Sequence, residues 1–271
     1  MAGDCRCGVD SHQKRVHVLL HAWGIFAESS DPHGGYLNSA LQPPVLEPWR
    51  GAFDEFGDTS GKHPPGSLAC LRRRDVVDSR LRERASRICG TDTTPLYLLD
   101  DFLSSEECCS IIESVRGNFV PSAVTRHAPG DPLFRSSETC HFEDAKCCNG
   151  VQARVERKID ALLQLPFACS EGPAQVQHYA VGKQFKAHTD FYDRESDASF
   201  WMRGQRTWTV MVYLNDVAVG CGGTTSFEYL DEDLLPVRGR AVVWCNLTAN
   251  GEPDAMTLHR SAPVKAGDKY M

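Results

Sequence analysis

Residues 176–191 read VQHYAVGKQFKAHTDF and contain two short strand-like runs, 176–181 and 185–188, with Gly182 between them. Glycine ends such runs because it adopts turn conformations at little steric cost. The same pattern of short strand-like runs separated by turns continues to the end of the chain, with five further runs at 207–214, 225–229, 240–246, 257–260 and 269 onward. Many short strands of this kind are typical of a β-sandwich or β-barrel. We therefore predict a mainly β domain over residues 91–271.

Two amphipathic helices precede these strands. Residues 104–107, SSEE, form a capping box, so a helix should begin there and run to about residue 115. Apolar residues recur at helical spacing from Val151 to Leu163 and predict a second helix that ends near Pro166. Both helices can pack on one face of the β structure, which gives a mainly β fold with flanking helices.

The first 90 residues differ from the rest. Gly and Pro recur over residues 1–67, which predicts an irregular region with a short helix near residues 16–26. In the Arg-rich stretch 71–87, Val77, Leu81 and Ala85 are spaced four residues apart, so we expect a charged surface helix. We assign residues 1–90 to a separate N-terminal region of unknown function.

The composition and charge of the chain argue against several classes of protein. The 271 residues are 41% hydrophobic and 24% charged, as in ordinary folded proteins. The net charge of −7 argues against nucleic acid as the main partner, because nucleic-acid binders usually carry a basic face. The longest apolar stretch, residues 16–27, is too short for a membrane span and makes a poor secretory signal. We expect most of the 12 cysteines to be small buried hydrophobic residues.

The chemical signal lies in His188-Thr-Asp190. Residues two apart on a strand face the same side, so His188 and Asp190 can reach one point in space. A third ligand must come from elsewhere, and His259 in the run 257–260 is the best candidate. Two imidazoles and one carboxylate on one face of a metal leave its other positions open, which suits non-haem Fe(II) and O₂.

Lys269 follows His259 by ten residues and completes this pattern. Pro263 and Gly267 lie between them and predict a turn that lets the chain double back. Since neighbouring strands lie only about 5 Å apart, Lys269 can meet a distal carboxylate of a cosubstrate whose other end the metal holds. The sequence stops at Met271, so we also expect this last strand to be truncated and prone to fraying.

Four blocks of the sequence resemble the prolyl 4-hydroxylase family of 2-oxoglutarate- and Fe(II)-dependent dioxygenases. They are QHYAVGKQFKAHTDF at 177–191, RTWTVMVYLNDV at 206–217, GGTTSF at 222–227 and LHRSAPVKAGDKY at 258–270. Residues 101–108 and 135–137 are also similar to that family, so the resemblance covers about residues 95–271. It implies a double-stranded β-helix, a cupin-like jelly roll of two facing sheets buttressed by helices.

The resemblance also implies roles for individual residues. His188, Asp190 and His259 would hold Fe(II), and O₂ and 2-oxoglutarate would use the open positions. Ascorbate is a further cofactor by resemblance. Three residues would face 2-oxoglutarate: Lys269, which would pair with its C5 carboxylate, Tyr179 and Thr209. Arg206 matches an arginine near the peptide groove and is the candidate for substrate binding.

The function implied is hydroxylation of a proline-containing peptide or protein, as by a procollagen-proline 4-dioxygenase, with release of succinate and CO₂. Two alternatives stay open. One is a dioxygenase of the same fold that acts on another residue or on a small molecule, and the other is a non-catalytic binding module. The cytosol is the default location without a signal sequence, and the lumen of the endoplasmic reticulum is the alternative by analogy with eukaryotic members of the family.

Overall fold

The computed structural model describes residues 18–20, 68–123, 134–142, 150–163, 174–192 and 206–271. The helices in these ranges are α1 Leu68–Arg84, α2 Ser105–Val115 and α3 Val151–Leu163, with 3₁₀ turns at Glu228–Leu230 and Ala255–Thr257. The strands are β1 Val18–Leu20, β2 Arg87–Gly90, β3 Pro95–Leu99, β4 Val120–Pro121, β5 Glu138–His141, β6 Gln175–Tyr179, β7 Phe185–His188, β8 Trp208–Val212, β9 Thr225–Phe227, β10 Glu232–Leu234, β11 Ala241–Cys245, β12 His259–Ser261 and β13 Lys269–Tyr270.

The strands form three hydrogen-bonded groups. A five-stranded group has the order β1-β8-β11-β3-β2, and a four-stranded group has the order β13-β6-β5-β4. These two groups meet where the Leu214 amide donates to the Tyr270 carbonyl oxygen at 2.9 Å. The third group, β10-β9-β12-β7, packs against them and carries two of the candidate metal ligands.

The core is divided into two layers. The outer core lies between the three helices and the first two groups of strands, and the inner core lies between the facing sheets. Strand β11 shows how one segment serves both layers: Ala241, Val243 and Cys245 belong to the outer core, whereas Val242 and Trp244 belong to the inner core. Because both of its faces are covered, β11 has an unbroken apolar sequence.

The predicted class, mainly β with flanking helices, is confirmed. Ser104 caps α2 and forms the predicted capping box with Glu107, the two side chains each accepting from the other's backbone N–H group. Both flanking helices end within a few residues of their predicted limits.

Two expectations about the N-terminal part are corrected. The helix predicted near residues 16–26 is wrong for its described part, because Val18–Leu20 is a strand paired in parallel with β8. The Arg-rich helix ends at Arg84, because Arg87–Gly90 pairs with β3 as a strand. The remainder of residues 1–67 lies outside the described residues. Helix α1 itself packs into the outer core through Val77 and Leu81.

The structure also bears on two further expectations, that most cysteines are buried and that no segment spans a membrane. Of the described cysteines, Cys108, Cys140 and Cys245 are buried, as expected of small hydrophobic residues, and Cys109 is exposed. Among the helices of the described ranges, none combines the length and apolar character that a bilayer crossing requires.

Candidate metal centre

The three predicted metal ligands converge because two neighbouring strands present them to one another. His188 ends β7 and His259 begins β12, and the two residues are directly opposite in the antiparallel pairing of these strands. Asp190 follows β7 by two residues and lies on the same side as His188. All three side chains are buried.

The distances between the donor atoms fit one metal ion. Nε2 of His188 lies 3.7 Å from Oδ1 of Asp190, and Nε2 of His259 lies 3.9 Å from the same oxygen. All three donor atoms lie within 4.8 Å of one another. Ligand atoms lie about 2.0–2.2 Å from such an ion, so two ligands of one ion are separated by up to ~4.4 Å. The donor set, two imidazoles and one carboxylate, is the one that suits Fe(II).

Backbone carbonyls fix the tautomer of both imidazoles. Nδ1 of His188 donates to the carbonyl oxygen of Lys186 at 2.8 Å, and Nδ1 of His259 donates to that of Thr257 at 2.9 Å. A carbonyl oxygen only accepts, so the proton of each neutral ring is on Nδ1. The Nε2 lone pairs are therefore directed toward the point shared with Asp190, as metal ligation requires.

Aromatic rings hold the two imidazoles in place. Phe185 stacks on His188 with ring centroids 3.6 Å apart, and Phe227 stacks on His259 at 5.3 Å. Trp244 meets the His259 ring edge-on at 5.0 Å. These contacts limit rotation of the rings and line the centre with apolar surface.

Asp190 is held by two residues of the segment that forms β8. Oγ1 of Thr209 donates to Oδ2 of Asp190 at 2.8 Å. Arg206 is 1% exposed, and its Nη1 donates to the Asp190 carbonyl oxygen at 3.2 Å. Its Nη2 donates to the Tyr192 hydroxyl at 2.6 Å, and the guanidinium also lies over the Tyr192 ring. Both the carboxylate and the backbone of the ligand are thus fixed.

Lys269 is a buried cation close to the centre. Its Nζ donates to Oγ of Ser261 at 2.9 Å and to Oγ1 of Thr225 at 3.3 Å. The same atom lies over the rings of Tyr179 and Tyr213, 5.3 and 5.5 Å from their centroids. Burial lowers the pKa of Lys269 from 10.5 to about 7, because no described carboxylate pairs with the ammonium to offset the cost of desolvation.

The strand that carries Lys269 is fixed on both edges. On one side Lys269 pairs with Tyr179 of β6, and the Met271 amide and carbonyl continue this pairing with Gln177. On the other side the amide of Tyr270 donates to Oδ1 of Asn215 at 2.7 Å. The expectation that this strand would fray is therefore wrong, since backbone hydrogen bonds tie it down as far as its last residue.

Comparison with known proteins agrees with this geometry. The sequence model of the 2OG-Fe(II) oxygenase superfamily matches residues 174–271. Prolyl 4-hydroxylase subunit alpha-1 of Homo sapiens is 33% identical over 188 residues, which cover 66% of this chain and 34% of the human protein. Over residues 174–271 the chain thus resembles the 2OG-Fe(II) oxygenase superfamily. The chain spans about a third of the length of the human relative.

Two further comparisons support the assignment. Probable prolyl 4-hydroxylase 7 of Arabidopsis thaliana is 28% identical over 207 residues, which cover 68% of this chain and 63% of that protein. The crystal structure of the viral collagen prolyl hydroxylase of Paramecium bursaria Chlorella virus-1 in its 2OG complex is similar with a TM-score of 0.50 and 26% identity. The similarity covers 65% of this chain and 91% of the viral chain. The resemblance to prolyl 4-hydroxylases and the double-stranded β-helix it implied are confirmed.

The predicted site residues fall into one region of the fold. His188, Asp190 and His259 are brought together, and Lys269 contacts Ser261, two residues after His259. Thr209 contacts the Asp190 carboxylate, and Arg206 is buried against Asp190 and Tyr192. Their predicted roles, facing the cosubstrate and lying near the peptide groove, stay predictions.

For several supporting residues the sequence analysis predicted no role. Asn246 contacts Thr209, and Ser261 and Thr225 receive the hydrogen bonds of Lys269. Arg135 lies over Phe185, which itself stacks on His188, and burial lowers the Arg135 pKa to about 10. The alternation of inward-facing and outward-facing residues along β9 and β12 could have identified Thr225 and Ser261 as inward-facing. Nothing in the sequence around Asn246 indicates its role.

Proposed function

We propose that the chain is an Fe(II)- and 2-oxoglutarate-dependent dioxygenase that hydroxylates a prolyl residue of a peptide or protein, as a prolyl 4-hydroxylase does. The observation that carries the proposal is a buried His-Asp-His set beside a buried ammonium group. When bound, Fe(II), 2-oxoglutarate and O₂ supply the oxidation, which yields succinate, CO₂ and a hydroxylated C–H position, and ascorbate restores iron oxidised in uncoupled cycles.

His188, Asp190 and His259 are the proposed ligands of Fe(II). Their donor atoms converge, and both rings have the tautomer that ligation requires. Burial of the three side chains keeps bulk water away from the ion and strengthens every electrostatic contact made there. Three protein ligands leave the remaining coordination positions for the cosubstrate and O₂.

Lys269 is the proposed partner of the C5 carboxylate. His259 and Ser261 are both buried on the same face of β12, and residues two apart on a strand are separated by about 6.6 Å. Ser261, whose Oγ accepts a hydrogen bond from the ammonium, therefore lies one such interval from the proposed iron ligand His259, a distance that a five-carbon diacid can span. A carboxylate placed there would restore the charged form of Lys269, because a buried cation is stabilised by an opposite charge.

The remaining predicted residues support these two contacts in the proposal. Tyr179 forms a wall of the Lys269 site, with its hydroxyl donating to Gln177 at 2.8 Å, and is a cosubstrate-facing residue. Thr209 acts on the cosubstrate site through Asp190. We propose that Arg206 affects peptide binding by fixing Tyr192 and the backbone of Asp190 at the edge of the site.

The experiment is a turnover assay with Fe(II), 2-oxoglutarate and ascorbate, comparing a Pro-rich peptide with the same peptide in which each Pro is replaced by Ala. We expect succinate release that depends on the Pro-containing peptide and the addition of one oxygen atom to that peptide by mass spectrometry. Succinate release at equal rates with both peptides, without oxygen added to either, would contradict prolyl hydroxylation and indicate another substrate. Failure of wild-type enzyme to release succinate under any condition would indicate a binding module.

A further inference from the structure

A line of three hydrogen bonds leads from the five-stranded group to the ligand Asp190. Nε1 of Trp244 donates to Oδ1 of Asn246 at 2.9 Å, and Nδ2 of Asn246 donates to Oγ1 of Thr209 at 2.9 Å. Oγ1 of Thr209 donates to Oδ2 of Asp190 at 2.8 Å. All four side chains are fully buried, so water does not compete for these bonds. We call this line the Trp-Asn-Thr relay.

Each bond of the Trp-Asn-Thr relay can run in only one direction. An indole N–H group only donates, so Trp244 fixes the carbonyl oxygen of the Asn246 side chain on its own side. The NH₂ group of Asn246 must then face Thr209, where it can only donate. The single hydroxyl hydrogen of Thr209 is consequently left for Asp190, and the carboxylate always receives a donor at Oδ2.

The relay treats the two oxygens of Asp190 differently. Oδ2 accepts from Thr209, whereas Oδ1 is the atom that lies 3.7 and 3.9 Å from the two imidazole Nε2 atoms. The backbone supports this arrangement, because Thr209 and Trp244 are opposite each other in the pairing of β8 with β11. The amide of Asn246 also donates to the Thr207 carbonyl oxygen at 2.8 Å.

We propose that Asn246 and Trp244 are positioning residues which, through Thr209, present one oxygen of Asp190 to the metal and withhold the other. This inference rests on the metal site of the proposed function. A carboxylate that binds through one oxygen leaves a coordination position that a bidentate carboxylate would occupy. Without the Trp-Asn-Thr relay, Oδ2 of Asp190 is released and the carboxylate loses its orientation. Oδ2 can then bind the metal as well and occupy the coordination position that the cosubstrate needs.

The test uses Co(II) as the metal probe, because its visible absorption reports coordination without turnover. We compare Thr209→Val with Thr207→Val, since Thr207 is buried just before β8 and its hydroxyl has no hydrogen-bond partner among the described residues. We expect Thr209→Val to weaken Co(II) binding about 10–100-fold and to change its spectrum, as loss of such outer contacts does. We expect Thr207→Val to bind Co(II) as the wild type does.

Further variants separate orientation from packing. Thr209→Ser keeps the hydroxyl and should retain the wild-type Co(II) spectrum and affinity. Trp244→Phe keeps a ring but removes the N–H group, and Asn246→Ala removes the donor to Thr209, so both should change the spectrum in the same direction as Thr209→Val. Thermal unfolding of the metal-free proteins checks the fold, and the two threonine variants decide the outcome if Asn246→Ala does not fold.

Equal Co(II) affinity and an unchanged spectrum in Thr209→Val would overturn the role of the relay while leaving the metal site intact. Absence of Co(II) binding by the wild-type protein would overturn the metal site, and with it both the proposed function and this inference.

Discussion

The ammonium of Lys269 is enclosed by two hydroxyl groups and two aromatic rings, which makes its charge sensitive to pH. Burial lowers its pKa from 10.5 to about 7. The unfolded chain therefore keeps this proton up to about pH 10.5, whereas the ligand-free folded chain keeps it only up to about pH 7. Between these values the unfolded state binds more protons, so the contribution of Lys269 to folding stability rises with pH through this window.

Cosubstrate binding should respond to pH in the opposite sense. Because a dicarboxylate favours the charged lysine, binding above about pH 7 requires uptake of a proton. We expect the affinity for 2-oxoglutarate to fall above this pH, by at most about tenfold per pH unit. The measurement is equilibrium binding of 2-oxoglutarate to the protein loaded with Mn(II), a metal that resists oxidation.

The matched variant for this prediction is Lys269→Met, which keeps an unbranched side chain but has no charge to titrate. We expect weak binding that does not change over the same range of pH. A wild-type affinity that fell with pH no more steeply than that of Lys269→Met would show that another group controls the dependence.

At the scale of elements, the short strand β13 depends on one side chain outside it. Nδ2 of Asn215 donates to the Asp268 carbonyl oxygen at 2.8 Å, and its Oδ1 accepts from the Tyr270 amide at 2.7 Å. This amide group thus takes the place of a neighbouring strand along the edge of β13. Each such hydrogen bond contributes about 0.5–1.5 kcal/mol to folding stability, which is a significant contribution for a two-residue strand.

We expect Asn215→Ala to loosen β13 and so to raise the 2-oxoglutarate concentration needed for half-maximal turnover, by up to about tenfold. Iron affinity should stay close to that of the wild type, because no metal ligand lies on β13. Steady-state kinetics and metal titration check the two expectations. A loss of iron affinity as large as the loss of cosubstrate affinity would mean that the variant disturbs the whole domain.

Local sequence signals predicted the elements that carry the site, and long-range pairing accounts for what they missed. Strand β7 and the capping box of α2 depend on residues a few positions apart, so their bounds could be predicted well. Strand β2 could not, because Arg87–Gly90 continues an Arg-rich helical pattern and becomes a strand only by pairing with β3. The order of strand β13 was underestimated for the same reason, since its hydrogen-bond partners lie far away in sequence.

The candidate site shows the same division. The ligands His188, Asp190 and His259 could be predicted, because strand alternation and the chemistry of metal ligands restrict the choice. The contact of Asn246 with Thr209 joins residues separated by 37 positions, and no pattern local to either residue indicates that the two meet. Such contacts are set by the register between strands, which the alternation of apolar residues along each strand does not reveal.

At the scale of the whole molecule, α1 packs as an integral part of the folded domain. Leu81 is 0% exposed in the outer core, whereas Val76 on the same helix is 50% exposed. The guanidinium of Arg74 also donates to the Leu247 and Thr93 carbonyl oxygens at 3.0 Å each, which joins α1 to the β structure. We therefore propose that the domain begins near residue 68, ahead of the boundary at residue 91 that the sequence suggested.

We expect Leu81→Ala to lower the free energy of unfolding by about 2–5 kcal/mol, because it opens a cavity in the outer core. The exposed control Val76→Ala should change it by no more than about 0.5 kcal/mol. Urea denaturation of both variants measures the difference. Equal stabilities would mean that α1 is dispensable and that the boundary lies after it.

Iron binding by a variant in which one ligand histidine is replaced tests the metal centre most directly. The wild type, His259→Ala and His178→Gln are each titrated anaerobically with Fe(II). His178→Gln is the control, because His178 contacts Glu138 and Asp268 away from the centre. We expect one Fe(II) ion per chain in the wild type and in His178→Gln, and loss of this binding in His259→Ala. Retention of wild-type stoichiometry and affinity by His259→Ala would contradict the convergence of His188, Asp190 and His259 on one ion.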